Sequence, residues 1–166
     1  MLLGNSPHQI NLRKGRFSEK GKAYSLTKCA VPGIILTEEP LISQILIDAF
    51  FWMDSQKRFS IGAFVIMPDH YHMVLILTGK DTLSGVMKSL GSYTSREINR
   101  RVGTSGKIWR KGYYDRSIRR SEDLNEIFDY IHNNPVRKGL VDHPEEWPYS
   151  SMHPEYYKMI GWHLFM

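Results

Sequence analysis

The run Phe64-Val65-Ile66-Met67-Pro68-Asp69-His70-Tyr71-His72-Met73-Val74-Leu75-Ile76-Leu77 constrains this chain more than any other stretch. Its apolar and β-branched residues predict two strands, Ser60 to Met67 and His70 to Leu77, folded back on each other at Met67-Pro68-Asp69. The second strand is apolar on both faces, the pattern of a sheet covered on each side. His70 and His72 are two apart, so they point to the same face. Two imidazoles side by side on a rigid strand can ligate one metal ion. A pair of ordinary histidines hydrogen-bonded at a strand end fits the same spacing.

The flanking segments complete a β-α-β-β-α-β-α order. Lys22 to Ala30 reads as a first strand. Pro40 opens a helix to about Gln56, with Leu41, Ile42, Ile45, Leu46, Ala49 and Phe50 as its apolar stripe. Asp81 or Thr82 caps a second helix that runs to about Arg101, and Gly103 and Gly106 break it. A fourth strand is expected near Tyr113 to Ile118. Ser121 caps a third helix, which ends near Asn133-Asn134-Pro135 because the residue before a proline disfavours the helical region. This order predicts an α+β domain with a ferredoxin-like core, an antiparallel sheet covered by helices. One domain over residues 1–166 is expected, with 1–15 as a loose arm and 136–166 as an irregular tail packed on the core, holding a short helix near its end.

Several function classes drop out. No apolar run reaches the ~20 residues that span a bilayer, and the N-terminal residues are too short and polar for a signal peptide. The single cysteine, Cys29, excludes an internal disulfide and a cysteine-rich zinc site. A reducing, cytoplasmic setting fits. Gly103-Thr104-Ser105-Gly106-Lys107 is too short for a phosphate-binding P-loop and reads as a turn, so no nucleotide cofactor is expected.

The net charge is +5, and its distribution is more informative than its size. Arg96, Arg100, Arg101, Lys107, Arg110, Lys111, Arg116, Arg119 and Arg120 are opposed only by Glu97 and Asp115, with Trp109, Tyr113 and Tyr114 interleaved. Clustered cations among aromatics suit a phosphate backbone and unpaired, stacked bases. A solvated basic face over core aromatics is the plainer reading. The DNA-binding candidates are Arg96, Arg100, Arg101, Lys107, Arg110, Lys111, Tyr113, Tyr114, Arg116 and Arg119.

On the third helix, Leu124, Ile127, Phe128 and Ile131 form the buried stripe. Tyr130 and Asn134 lie about 40° apart on its flank, where a hydroxyl and an amide oxygen can reach a cleft beside the sheet. His132 is two residues from Tyr130 and points elsewhere, as a surface or DNA contact. Asp69 is expected mainly to shape the turn.

Four stretches carry a family resemblance: Met67 to His72, Lys88 to Thr94 followed by Glu97 to Arg100, Ile108 to Asp115, and Asp129 to Val136. In this order they resemble the REP-associated tyrosine transposases, which belong to the single-tyrosine HUH transposases. The similarity covers about Lys22 to Ser150. It implies that His70 and His72 are metal ligands, that Tyr130 is the nucleophile, and that Asn134 is a further polar ligand. It also implies Mg²⁺ or Mn²⁺ as the metal. Tyr71 stands where the family has an aliphatic residue. The implied activity is single-strand DNA cleavage and strand transfer through a 5′-phosphotyrosine, on hairpin-forming repetitive palindromic DNA.

A metal ion between two imidazoles and an amide oxygen leaves positions open for phosphate oxygens, and it activates a target that a phenol of ordinary pKa ~10 attacks poorly. The partner the resemblance implies is single-stranded or hairpin DNA, and a monomer or a homodimer is expected. The tail after Pro135 is expected to pack over the site and block dimer pairing. The alternative is a non-catalytic module of the same fold that binds DNA or RNA hairpins. A zinc hydrolase fits poorly, because no acid or third histidine follows His72 closely.

Overall fold

The computed structural model describes residues 18–119 and 121–165. Residues 1–15, expected as a loose arm, lie outside the described residues. Four strands form the sheet: β1 (Ala23–Cys29), β2 (Phe59–Ile66), β3 (His70–Leu77) and β4 (Tyr114–Ile118). Their order is β2-β3-β1-β4 and every pairing is antiparallel, as a ferredoxin-like core requires. The Met67-Pro68-Asp69 turn is closed by the Met67 N–H donating to the His70 carbonyl at 2.8 Å.

Alternation along the strands sorts the molecule into layers. Tyr71, Met73, Leu75 and Leu77 of β3 join Tyr24, Leu26, Phe59, Ile61 and Phe64 in the larger core. Two helices cover that face: α1 (Pro40–Ser55) and α2 (Leu83–Val102). The Thr82 hydroxyl caps α2 by accepting the Gly85 N–H at 3.0 Å, and Gly103 closes it at φ +74°, where a side chain would be strained. Of the expected α1 stripe, Leu41 is exposed, because it belongs to the first turn and lies outside the contact with the sheet.

The opposite face carries Val74, Ala63 and Val65, packed against Leu124 and Ile131 of α3 (Ser121–His132). The third helix does not simply stop at Asn133. After that residue, α4 (Asn134–Arg137) resumes the helical sense, with Pro135 in its first turn, where a missing N–H costs nothing. The Asn133 N–H donates to the Asp129 carbonyl (3.0 Å) and the Arg137 N–H to the Asn133 carbonyl (2.9 Å).

The tail contains α5 (Pro154–Tyr157) and 3₁₀ turns at Pro144–Glu146 and Trp162–Leu164. It runs along the free edge of β2. The Ile66 N–H donates to the Tyr149 carbonyl (2.8 Å), the Ser151 N–H to the Phe64 carbonyl (3.0 Å), and Trp147 Nε1 to the Ile66 carbonyl (2.9 Å). The tail thereby covers a strand edge that would otherwise be open to pairing.

His132 differs from the sequence expectation, and Trp109 follows the reading of a core aromatic under the basic segment. His132 is not on the surface: it is 7% exposed, and its Nε2 lies 2.8 Å from the Ser151 hydroxyl because the tail folds over it. Trp109 is not free to stack on a base: it is 9% exposed, donates Nε1–H to the Thr94 hydroxyl at 2.9 Å, and packs edge-on against Tyr71. Both contacts are made by segments distant in sequence.

Candidate active site

The centre is the N-terminal end of β3. His70 and His72 share one sheet face, and their Nε2 atoms stand 3.0 Å apart. The Nδ1 atom of each ring is occupied. His72 Nδ1 is 2.7 Å from the Thr27 hydroxyl, and His70 Nδ1 is 2.6 Å from the Asp69 carboxylate. Thr27 reaches His72 because β1 pairs with β3 in a register that sets the two residues opposite each other. A histidine whose Nδ1 is held by a hydroxyl or a carboxylate presents Nε2 outward, the usual orientation of a metal ligand.

The spacing also fits a cation. Two donors at right angles about one ion, each about 2.1 Å from it, stand about 3.0 Å apart. Among the described residues, no third His, Cys, Asp or Glu completes a cluster, so a further donor has to be of another type. Burial, with the neighbouring His70 charge second, pushes His72 down to about 3, so it stays neutral with a lone pair to offer. Burial works to raise Asp69, but the hydrogen bond and charge of His70, with the charge of Lys138, hold its carboxyl below the usual range.

Tyr130 comes to this pair from α3. Its ring meets the His72 ring edge-on with centroids 5.6 Å apart, and the residue is 45% exposed. The guanidinium of Arg137 lies over the same ring, 4.3 Å from its centroid. Asn134 is 5% exposed at the junction of α3 and α4. Its backbone carbonyl accepts the Lys138 N–H at 3.1 Å, and among the described residues no hydrogen bond joins its side chain to the histidines.

The basic set is divided between the two faces. Arg96, Arg100 and Arg101 sit on α2, across the sheet from Tyr130, and Glu97 holds Arg100 at 2.8 Å and Arg101 at 3.4 Å. Lys107 and Lys111 are exposed in the connection to β4, and Arg110 donates Nε–H to the Ala30 carbonyl at 3.2 Å. Tyr114 and Arg116 lie opposite Thr27 and Ser25 in the β1–β4 register, so they share the histidine face. Tyr113 is half-buried against the α1–α2 core. With Arg116 and Arg119 it borders a cavity of about 670 Å³ that Lys22 and Tyr24 also line.

Three features of the site were not read from sequence. Thr27 carries no local signal, since only the β1–β3 register brings it to His72. Asp69 does more than shape the turn, because its carboxylate also orients His70. Arg137 lies seven residues beyond Tyr130, about two helical turns, but Pro135 masks that periodicity.

The family model for IS200-like transposases matches residues 35–134. A REP-associated tyrosine transposase of Escherichia coli strain K12 is 29% identical over 111 residues, which cover 66% of this chain and 64% of that one. The chain therefore matches a little under two thirds of that relative's length. A solved structure of a REP-associated tyrosine transposase bound to a REP hairpin has a similar fold, with a TM-score of 0.71 and 25% identity, covering 87% of this chain and 85% of that one.

Proposed function

Since this chain belongs to the IS200-like transposase family, we propose that it cleaves and rejoins single-stranded DNA at hairpin-forming repeats, with Tyr130 as the nucleophile. The observation that carries this reading is the meeting of Tyr130 with His72 at 5.6 Å, beside an Nε2 pair 3.0 Å apart. The hairpin substrate is supported by the similar solved structure, which holds a REP hairpin.

His70 and His72 would hold a divalent cation, Mg²⁺ or Mn²⁺, with the amide of Asn134 as a third donor. When bound, the ion would polarise the scissile phosphate. The remaining work falls to the chain's own residues. Thr27 and Asp69 fix the imidazoles. Packing on His72 holds the Tyr130 ring, so the hydroxyl is presented rather than found by search. In the transfer, the Tyr130 Oη–P bond forms as the P–O3′ bond breaks. The phenolic proton is lost to solvent, and the departing 3′ oxygen gains one. A 5′-phosphotyrosine conserves the phosphodiester bond, and the reverse attack by a 3′-hydroxyl rejoins strands without a nucleotide. Tyr114 and Arg116 share the histidine face and would meet the strand leading into the site.

The test is incubation with an end-labelled, hairpin-forming single strand and Mn²⁺, followed by denaturing electrophoresis. A protein–DNA adduct present in the wild type and absent in Tyr130→Phe is expected. Cleavage without an adduct would replace tyrosine attack by attack of water. Hairpin binding with neither product would leave the chain a binding module.

A further inference from the structure

We propose that Arg137 is a catalytic residue that seats the scissile phosphate against Tyr130; the assignment rests on Tyr130 being the nucleophile. Arg137 follows Tyr130 by seven residues, about 700° of helix, so the two lie on one side of the α3–α4 rod. Helical side chains lean toward the N-terminus, which brings a long arginine back over the earlier turn. The guanidinium accordingly rests 4.3 Å from the centre of the Tyr130 ring.

The ring is therefore flanked by two groups of different chemistry: the His72 imidazole in T-shaped contact, 5.6 Å between centroids, and a permanent cation over its face. Arg137 is exposed, and among the described residues no carboxylate lies within ion-pair distance of it, so none of them holds its five N–H donors in an ion pair. Stacking on the ring limits the motion of the side chain while leaving the edge of its planar fork open. That fork matches two oxygens of a phosphate. Lys138, the next residue, lies close enough to Asp69 for its charge to act on that carboxylate.

A phosphate within reach of the Tyr130 hydroxyl has the guanidinium on one side and the histidine pair on the other. During transfer, negative charge grows on the non-bridging oxygens as the Tyr130 Oη–P bond forms and the P–O3′ bond breaks. Arg137 stays protonated throughout, and its N–H donors meet that charge.

The experiment measures single-turnover adduct formation at saturating hairpin DNA with Mn²⁺ for the wild type, Arg137→Gln, Arg137→Lys and Tyr130→Phe. Hairpin affinity in EDTA and Tm are measured alongside. Arg137→Gln is expected to slow adduct formation at saturating DNA by roughly 10²–10³-fold, with Tm unchanged and any loss of hairpin affinity no larger than one phosphate contact explains. Arg137→Lys is expected to recover only part of the rate, because a single ammonium cannot make the forked contact. An unchanged saturating rate in Arg137→Gln, with or without weaker hairpin binding, would overturn the proposal and leave Arg137 a backbone contact at most. A wild-type protein that forms no adduct would remove the nucleophile assignment, and this proposal with it. An adduct lost in Tyr130→Phe but untouched in the Arg137 variants would remove this proposal alone.

Discussion

Replacing Thr27 by valine removes one hydroxyl from the site and little else. Valine keeps the β-branched shape that suits the middle of β1. The lost group is the partner of His72 Nδ1 at 2.7 Å. A neutral imidazole carries one proton; with Nε2 kept free for an ion that proton sits on Nδ1, where the Thr27 hydroxyl is in place to accept it. Without the hydroxyl, the proton is free to move to Nε2 and cover its lone pair.

Loss of such an outer partner typically lowers metal affinity about 10–100-fold, which is about 1.4–2.7 kcal/mol. A hydrogen bond of this type is itself worth about 0.5–1.5 kcal/mol, so the upper part of the range requires the ring to reorient as well. Mn²⁺ titration by calorimetry is expected to show the weakened affinity. Hairpin binding in EDTA is expected to stay at the wild-type value, because the substitution changes no charge and keeps the side chain's shape. Wild-type Mn²⁺ affinity in Thr27→Val would refute the argument that the hydroxyl sets the tautomer. A parallel loss of hairpin binding would point to a disturbed sheet instead.

Other outcomes follow from the same structure. Thr94→Val leaves the buried Trp109 Nε1–H without its acceptor, at a cost of about 1–3 kcal/mol. Calorimetry is expected to show a Tm lower by roughly 2–12 °C for a chain of this size. His132 is held down to about 4 by burial against the tail, with Asp129 opposing the shift, while an unfolded histidine titrates near 6.5. Between those values the unfolded chain binds the additional proton, so stability falls as pH falls from about 6.5 towards 4. The full effect is about 3 kcal/mol. His72 adds to the slope in metal-free protein. Urea denaturation across that range is expected to show a shallower pH slope in His132→Gln, and an unchanged slope would disprove the assignment.

Element order was legible because the chain announces it locally. The turn at Met67-Pro68-Asp69, the cap at Thr82, the glycine stop at Gly103 and the helical stripe around Leu124 and Ile131 are each properties of a few neighbouring residues. The sharing of one face by His70 and His72 follows from strand alternation alone. The half-exposed position of Tyr130 on the flank of its helix follows from helical periodicity in the same way.

What the amino-acid sequence determined by itself was therefore the sequence of elements, the face of each that turns inward, and a candidate pair of imidazoles with a tyrosine to meet them. Tertiary structure decided what those groups are held by. The β1–β3 register brings Thr27 to His72, and the α3–α4 junction carries Arg137 back over Tyr130 in spite of a proline. The tail buries His132, and α2 takes Arg96, Arg100 and Arg101 to the far side of the sheet. These are contacts between segments far apart in sequence, or across a helix break. Local periodicity sets which way a side chain points, and only the packing of whole elements sets what it meets.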